Sequence, residues 1–278
     1  MPPRPPATPS PVPGEPGGTP RPCGLCVFVT DFGTADTYAA QMAGAFHNAF
    51  GPNPAGRVAA EYHAVPPQDV AAGAAALAEV VPAFPPGTAF VTVVDPGVGT
   101  GRRILAARAG GHFHVAPDNG LLAALLDADP AAAAVRLPVP DAGSATFHGR
   151  DVMAPAAGRL AAGVPLGRLG EAVSDWVRLP AAAGWEERDG VIVGTVARAD
   201  RFGNLVTTVP RPACANPREV RLDGVPVPAG RTYADVPPHT PVALVGSGGM
   251  WEIAVRDGSA ADALAAAAGD EVHFTPAG

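Results

Sequence analysis

The sequence predicts an α/β amino-terminal domain with a mostly parallel sheet, followed by a small β-barrel domain. Three observations carry that expectation. Before residue 151, short β-branched apolar runs alternate with helical stretches, the rhythm of strands joined through crossover helices. The polar, glycine-bearing segments of this half begin where those strands end, as ligand sites of open α/β sheets do. From Val191 onward the rhythm changes to short strands separated by turn residues, the mark of a barrel or sandwich.

Residues 1–22 hold ten prolines among Gly, Thr and Ser. Such a composition buries too little apolar surface to offset ordering entropy, so a disordered tail is expected. The first domain is placed at 23–185. Leu25–Thr30 reads as a strand, Asp31-Phe32-Gly33 as a loop and Tyr38–Phe50 as a helix. A strand near Val58–His63, an alanine-rich helix over Asp69–Val81 and a strand over Ala89–Val94 follow. A strand near Phe113–Ala116 leads through Pro117-Asp118-Asn119-Gly120 into a helix at Leu121–Leu126. The alanine runs at 71–78, 131–134 and 263–268 read as helix surface. The second domain is placed at 186–278, with strands at Gly190–Ala197, Leu205–Val209, Val220–Leu222, Pro241–Val245, Trp251–Val255 and Glu271–Phe274.

Composition excludes several functions. All 19 basic residues are arginine, so no lysine Schiff base or Walker lysine exists. A net charge of −7 argues against nucleic acid as a partner. No apolar run is long enough to span a membrane and no secretion signal is evident, so a cytoplasmic location is the expectation. Cys23, Cys26 and Cys214 are too few and too unevenly spaced for a disulfide framework. His112 and His114 flank Phe113 at the edge of a strand, without a carboxylate or thiol at ligand spacing, and no metal or cofactor is expected.

Asp31 ends a strand and precedes Gly33, which suits paired hydrogen bonds to two ribose hydroxyls. Asp36 reads as a cap of the following helix. In T-V-V-D-P-G-V-G-T-G-R-R (92–103), Asp95 ends a buried-looking strand, and the Pro-Gly turn can return Arg102 towards it. Arg103 is the alternative in the same motif. His148 arrives from a distant strand-like segment through Thr146-Phe147, with Gly149 giving a ligand close access. Alone, these residues also fit a structural ion pair and a loop histidine. Asp200-Arg201-Phe202-Gly203-Asn204 offers an anion for an ammonium, an aromatic face and an amide for a purine edge.

These motifs, with T-D-F-G-T-A-D-T-Y (30–38), A-P-D-N-G-L-L (116–122), T-F-H-G-R-D (146–151), R-A-D-R-F-G-N (198–204) and G-S-G-G-M-W-E-I-A (246–254), resemble the S-adenosylmethionine hydroxide adenosyltransferase family, relatives of the fluorinating and chlorinating adenosyl enzymes. The resemblance runs in order from about Leu25 to Val272. It implies hydrolysis of S-adenosylmethionine to adenosine and L-methionine by attack of water on C5′. It gives Asp95, Arg102 and His148 the handling of that water, and Asp31 the ribose. Asp200 would hold the methionine ammonium, Phe202, Asn204 and Tyr233 the adenine, and Ser247 the methionine carboxylate. It also implies a homotrimer with each site built from the amino-terminal domain of one subunit and the carboxyl-terminal domain of the next.

The sequence departs from the halogenating relatives at several points. Gln68 replaces a tryptophan used against the ribose, and Gly248 an arginine. A halogenating enzyme would carry an aromatic at 95, Tyr-Ser at 148–149 and a long insertion between Arg103 and Ala116. A non-catalytic nucleoside or S-adenosylmethionine sensor would have lost the triad. Direct contact between Arg102 and Asp95 would make the aspartate the poorer base and shift that role to His148.

Overall fold

Leu25–Thr30 is apolar at nearly every position and forms β1, an interior strand buried on both faces of a sheet. The computed structural model describes residues 20–52, 56–180 and 184–277, and the chain divides into two units between Leu179 and Pro180. Most of the proline-rich segment, residues 1–19, lies outside the described residues. No helix among the described residues is long and apolar enough to cross a membrane.

In the first unit β1 is flanked by β2 (Arg57–Tyr62) and β3 (Ala89–Val93), both parallel to it, and β3 pairs in parallel with β5 (His112–Pro117). Then β4 (Ile104–Ala109), β6 (Ala133–Arg136) and β7 (Glu171–Val173) extend the sheet through antiparallel pairings, in the order β2-β1-β3-β5-β4-β6-β7. Only β4 and β7 oppose the common direction, so the sheet is mostly parallel as expected. Helix α1 (Tyr38–Phe50) buries Met42 and Phe46, one turn apart, against α4 (Ala154–Ala161) and one sheet face. Helix α2 (Val70–Val80), capped by Asp69 through Ala72 N at 2.9 Å, and α3 (Ala123–Ala128) cover the other face.

Several details differ from the sequence reading. Ala133 and Ala134 belong to β6, not to a helix surface, because the neighbouring edge of β4 supplies the pairing that alanine does not encode by itself. Residues 104–117 form a hairpin turning at Gly110-Gly111, both with positive φ, where only a short connection and one strand were expected. Asp36 does not cap α1. The cap position is Thr37, whose hydroxyl accepts from Gln41 Nε2 at 2.9 Å. His112 and His114 lie within β5, both buried, not at a strand edge.

The second unit is an antiparallel sheet in the order β12-β11-β15-β9-β10-β14-β13, with β8 (Glu186–Arg188) added on β9. These strands span Val191–Ala199 (β9), Leu205–Pro210 (β10), Pro217–Leu222 (β11), Val225–Val227 (β12), Pro241–Val245 (β13), Met250–Val255 (β14) and Glu271–Pro276 (β15). The chain leaving β12 bonds back to β13: Gly230 N donates to Ala243 O and Ala243 N to Pro228 O, each at 2.8 Å. The sheet therefore nearly closes into a barrel around Leu205, Trp251, Ile253 and Phe274.

His114 carries a consequence for stability. Its ring stacks on Phe90 at 5.5 Å, its Nε2–H donates to Ala109 O at 3.2 Å, and its buried Nδ1 has no partner. Burial pushes its pKa down to about 4, and the neighbouring His112 is lowered by burial too. Between pH ~6.5 and ~4 the unfolded chain takes up a proton there and the folded chain does not, so stability falls as pH drops. The loss expected from His114 is on the order of 3 kcal/mol. Urea midpoints should decline across this window, and His114→Phe should flatten the decline; an unchanged slope in the variant would refute the assignment.

Candidate active site

The register of the parallel strands puts two carboxylates at one end of the sheet. Thr30 of β1 stands beside Val93 of β3, so Asp31 and Asp95 both emerge just past the strand ends. Asp31 N donates to Val93 O at 3.4 Å, and Asn119 Nδ2 closes the end of β3 through Val94 O at 2.9 Å. After Asp95 the chain turns tightly, with Val98 N donating to Asp95 O and Thr100 N to Gly97 O, each at 3.2 Å. Gly99 has φ +79°, and a Cβ there would lie 2.9 Å from the Ala145 carbonyl oxygen. That close approach sets the turn against the segment leading to His148.

The turn returns Arg102 to Asp95 as the sequence predicted. Arg102 Nε donates to Asp95 Oδ1 at 2.8 Å and Nη2 to Oδ2, a paired ionic contact between two nearly buried side chains. The same Nη2 reaches His148 Nδ1 at 3.0 Å. Guanidinium only donates, so Nδ1 must accept and the neutral ring carries its proton on Nε2. The expected shift of the base role to His148 therefore fails, because Arg102 occupies its lone pair as well. Burial lowers the His148 pKa, the charge of Arg102 lowers it further, and Asp95 only partly opposes them. Arg102 Nη1 is buried and has no partner, leaving a cationic donor available beside this pair.

His148 is not strand-borne. It precedes a π-helical turn, Gly149–Met153, that runs into α4, and Gly149 is buried in that packing instead of opening the site. Extra turns of this kind recur at functional sites. Phe147 meets Phe32 and Tyr38 edge-on at 6.0 and 5.2 Å, which ties the His148 segment to the end of β1. Asp31 Oδ2 accepts from Gln68 N at 2.8 Å, and Gln68 holds φ +65°, an uncommon conformation for a non-glycine residue. That backbone bond had no signal in the sequence. Arg103 turns away from Asp95 and His148 and pairs with Asp118 and Asp175, so of the two arginines Arg102 is the one in contact with both.

In the second unit Asp200 organises its own loop. Oδ1 accepts from Phe202 N and Asn204 N at 2.8 and 2.9 Å, and Oδ2 from Asn204 Nδ2 at 2.9 Å. A carboxylate has about four acceptor positions, so one remains for a ligand. Phe202 is 76% exposed and Asn204 is buried. Tyr233 is half exposed, not a core residue, and its hydroxyl donates to Glu252 Oε1 at 3.0 Å. Ser247 is exposed on a turn closed by Gly249 N to Gly246 O at 3.0 Å. Among the described residues no group of three or more His, Cys, Asp or Glu is placed to hold a metal ion. Cys26 is buried in β1 and burial raises its thiol pKa, which leaves it unreactive.

The tautomer and charge of His148 can be read directly. Nitrogen-resolved NMR at neutral pH should show a neutral ring protonated on Nε2. Arg102→Met should raise its pKa, since the repelling cation is removed while Asp95 stays. A ring protonated on Nδ1 would contradict the arrangement.

The sequence of the (R)-S-adenosyl-L-methionine hydrolase of Salinispora arenicola is 43% identical over 259 residues, 89% of this chain and 96% of that protein. A fluorinase of an Actinoplanes species is 29% identical over 217 residues, 67% of this chain and 72% of its own. The crystal structure of an uncharacterized conserved protein from Thermotoga maritima superposes with a TM-score of 0.81 at 28% identity, covering 90% of this chain and 99% of the other. Residues 26–170 match the SAM hydroxide adenosyltransferase N-terminal domain and residues 194–273 the corresponding C-terminal domain, and the chain belongs to the SAM hydroxide adenosyltransferase family.

Proposed function

We propose that this chain hydrolyses S-adenosyl-L-methionine to adenosine and L-methionine by in-line attack of an activated water on C5′ of the ribose. The observation that carries the reading is the Asp95–Arg102–His148 cluster, in a chain 43% identical to a protein named for this activity. The sulfonium leaves as a neutral thioether, so no general acid is required. The scarce component is the nucleophile, since water ionises with a pKa of about 15.7. Arg102 Nη1 and the His148 Nε2–H are the donors that would stabilise hydroxide, and Asp95, with lone pairs left beyond those Arg102 uses, would accept the proton. Aligning water with C5′ contributes further by avoiding the entropy of encounter. A halide is a poorer fit, because the Asp95 carboxylate would repel it by about 4 kcal/mol at 4 Å and an effective dielectric of 20.

In this reading Asp31 holds the ribose hydroxyls with the oxygen that Gln68 leaves unused. Asp200 takes the ammonium at its remaining acceptor position, Phe202, Asn204 and Tyr233 receive the adenine, and Ser247 meets the carboxylate. The enzyme is cytoplasmic, needs no metal or cofactor, and works as a homotrimer whose sites combine the amino-terminal domain of one subunit with the carboxyl-terminal domain of another.

Purified protein treated with chelator should release adenosine and methionine in equal amounts. Asp95→Ala and His148→Ala should slow it by about two to four orders of magnitude with little change in ligand affinity, and Asp31→Ala should mainly weaken binding. Equal binding losses in all three would contradict the division of roles. Mixing inactive Asp95→Ala with inactive Asp200→Ala subunits should restore part of the activity through sites built from two intact halves; a fully active monomer would refute the shared site.

A further inference from the structure

Glu252 lies where a carboxylate is costly. It sits in the middle of β14, paired across to Leu244 of β13 and Val206 of β10, and is 9% exposed. Alternate positions on this face belong to a small apolar cluster of Val236, Val242, Leu244 and Ala254. Burial pushes the Glu252 pKa up and the negative charge of Asp200 adds to that, while the Tyr233 hydrogen bond and the positive charge of Arg198 oppose it. An ionisable group in such a place destabilises the fold unless it is engaged.

One hydrogen bond engages it and one close approach shapes its seat, and both lead to residues of the substrate site proposed above. Oε1 accepts the Tyr233 hydroxyl at 3.0 Å. Tyr233 stands on a short helical turn closed by a reciprocal Thr232–Asp235 capping box, so that turn is held at its base as well as at its hydroxyl. Oε2 faces Gly246, where an added Cβ would lie 2.4 Å away and displace the carboxylate from this seat. Gly246 opens the turn that displays Ser247. The Asp200–Asn204 loop is near enough for the charge of Asp200 to act on both Glu252 and Tyr233, and for the Asn204 side chain to reach the Tyr233 hydroxyl.

We infer that Glu252 is a positioning residue for substrate binding, holding the Tyr233 ring through its hydroxyl and supporting the turn of Ser247 through Gly246, so that the adenine-facing and carboxylate-facing groups keep one register. The inference rests on the proposed roles of Tyr233 and Ser247. It predicts a loss of binding without a loss of chemistry, because Glu252 acts on groups assigned to the adenine and the carboxylate, while the groups assigned to water belong to the other unit.

Steady-state hydrolysis of S-adenosylmethionine by the full-length chain tests it. Glu252→Ala should raise KM about tenfold, the size expected for a lost hydrogen bond to a charged group, with kcat within about threefold. Tyr233→Phe, which removes one hydroxyl from a half-exposed ring, should raise KM similarly. The double variant should be no worse than Glu252→Ala alone, since the bond to the Tyr233 hydroxyl is already lost there. Glu252→Gln, which keeps an acceptor, should recover most of the loss. An unchanged KM in Glu252→Ala and Tyr233→Phe, or multiplicative losses in the double variant, would overturn the inference. A fall in melting temperature with KM constant would do the same and leave Glu252 a structural residue. If the unaltered chain releases no adenosine, it is the functional reading that fails.

Discussion

A single guanidinium satisfies a carboxylate and an imidazole at once, and the arrangement of the candidate site in the first unit depends on that sharing. Arg102 gives Nε and Nη2 to Asp95 and Nη2 again to His148 Nδ1. Because an arginine stays charged and only donates, it fixes the imidazole tautomer and leaves the His148 Nε2–H as a donor. Neither neighbour is then left as an unencumbered base. What the cluster offers is stabilisation of negative charge on an oxygen, with the buried and unpartnered Nη1 as a further donor. The parallel pairing of β1 with β3 brings Asp31 to the same end of the sheet, and the close approach of Gly99 to Ala145 brings the His148 segment to Asp95.

The second unit solves a different problem. Its polar groups must be presented from a nearly closed antiparallel sheet whose strands are largely apolar. Asp200 does so by organising its own loop, accepting two backbone N–H groups and one amide, which leaves Phe202 projecting and Asn204 fixed beneath it. Glu252 does so from inside a strand, at the cost of burying a carboxylate. A buried acid that touches one exposed tyrosine and one glycine of a serine-bearing turn is better explained by the groups it orients than by stability, since an apolar residue there would extend the cluster of Val242 and Ala254.

The likeness to a fluorinase, at 29% identity, is informative beside the departures in this sequence. The sequence places an aspartate at 95 where the halogenating pattern has an aromatic ring, and a histidine at 148 in place of a tyrosine. A carboxylate held by Arg102 next to that histidine favours a neutral molecule that can give up a proton over an anion that must shed its water. The hairpin of β4 and β5 occupies the stretch between Arg103 and Ala116, and its two-glycine turn leaves no room in the chain for a long insertion.

The sequence determined the fold class, the boundaries of α1 and α2, the strand ends that bear Asp31 and Asp95, and the return of Arg102 to Asp95. These follow from local physics: apolar periodicity, an aspartate cap and a Pro-Gly turn act over a few residues and leave a readable pattern. Alanine-rich β6 and the Gly110-Gly111 hairpin were not legible in the same way, because alanine favours helix and the pairing with neighbouring β4 overrode that preference. Only the tertiary structure could separate Arg102 from Arg103, since adjacent side chains leave the backbone in different directions and their partners, His148 and Asp175, are distant in the chain. The same holds for the Nε2–H tautomer of His148, the Gln68 bond to Asp31 and the seat of Glu252 under Tyr233. Each of these is set by a contact between segments far apart in sequence, and such contacts exist only after the chain has closed.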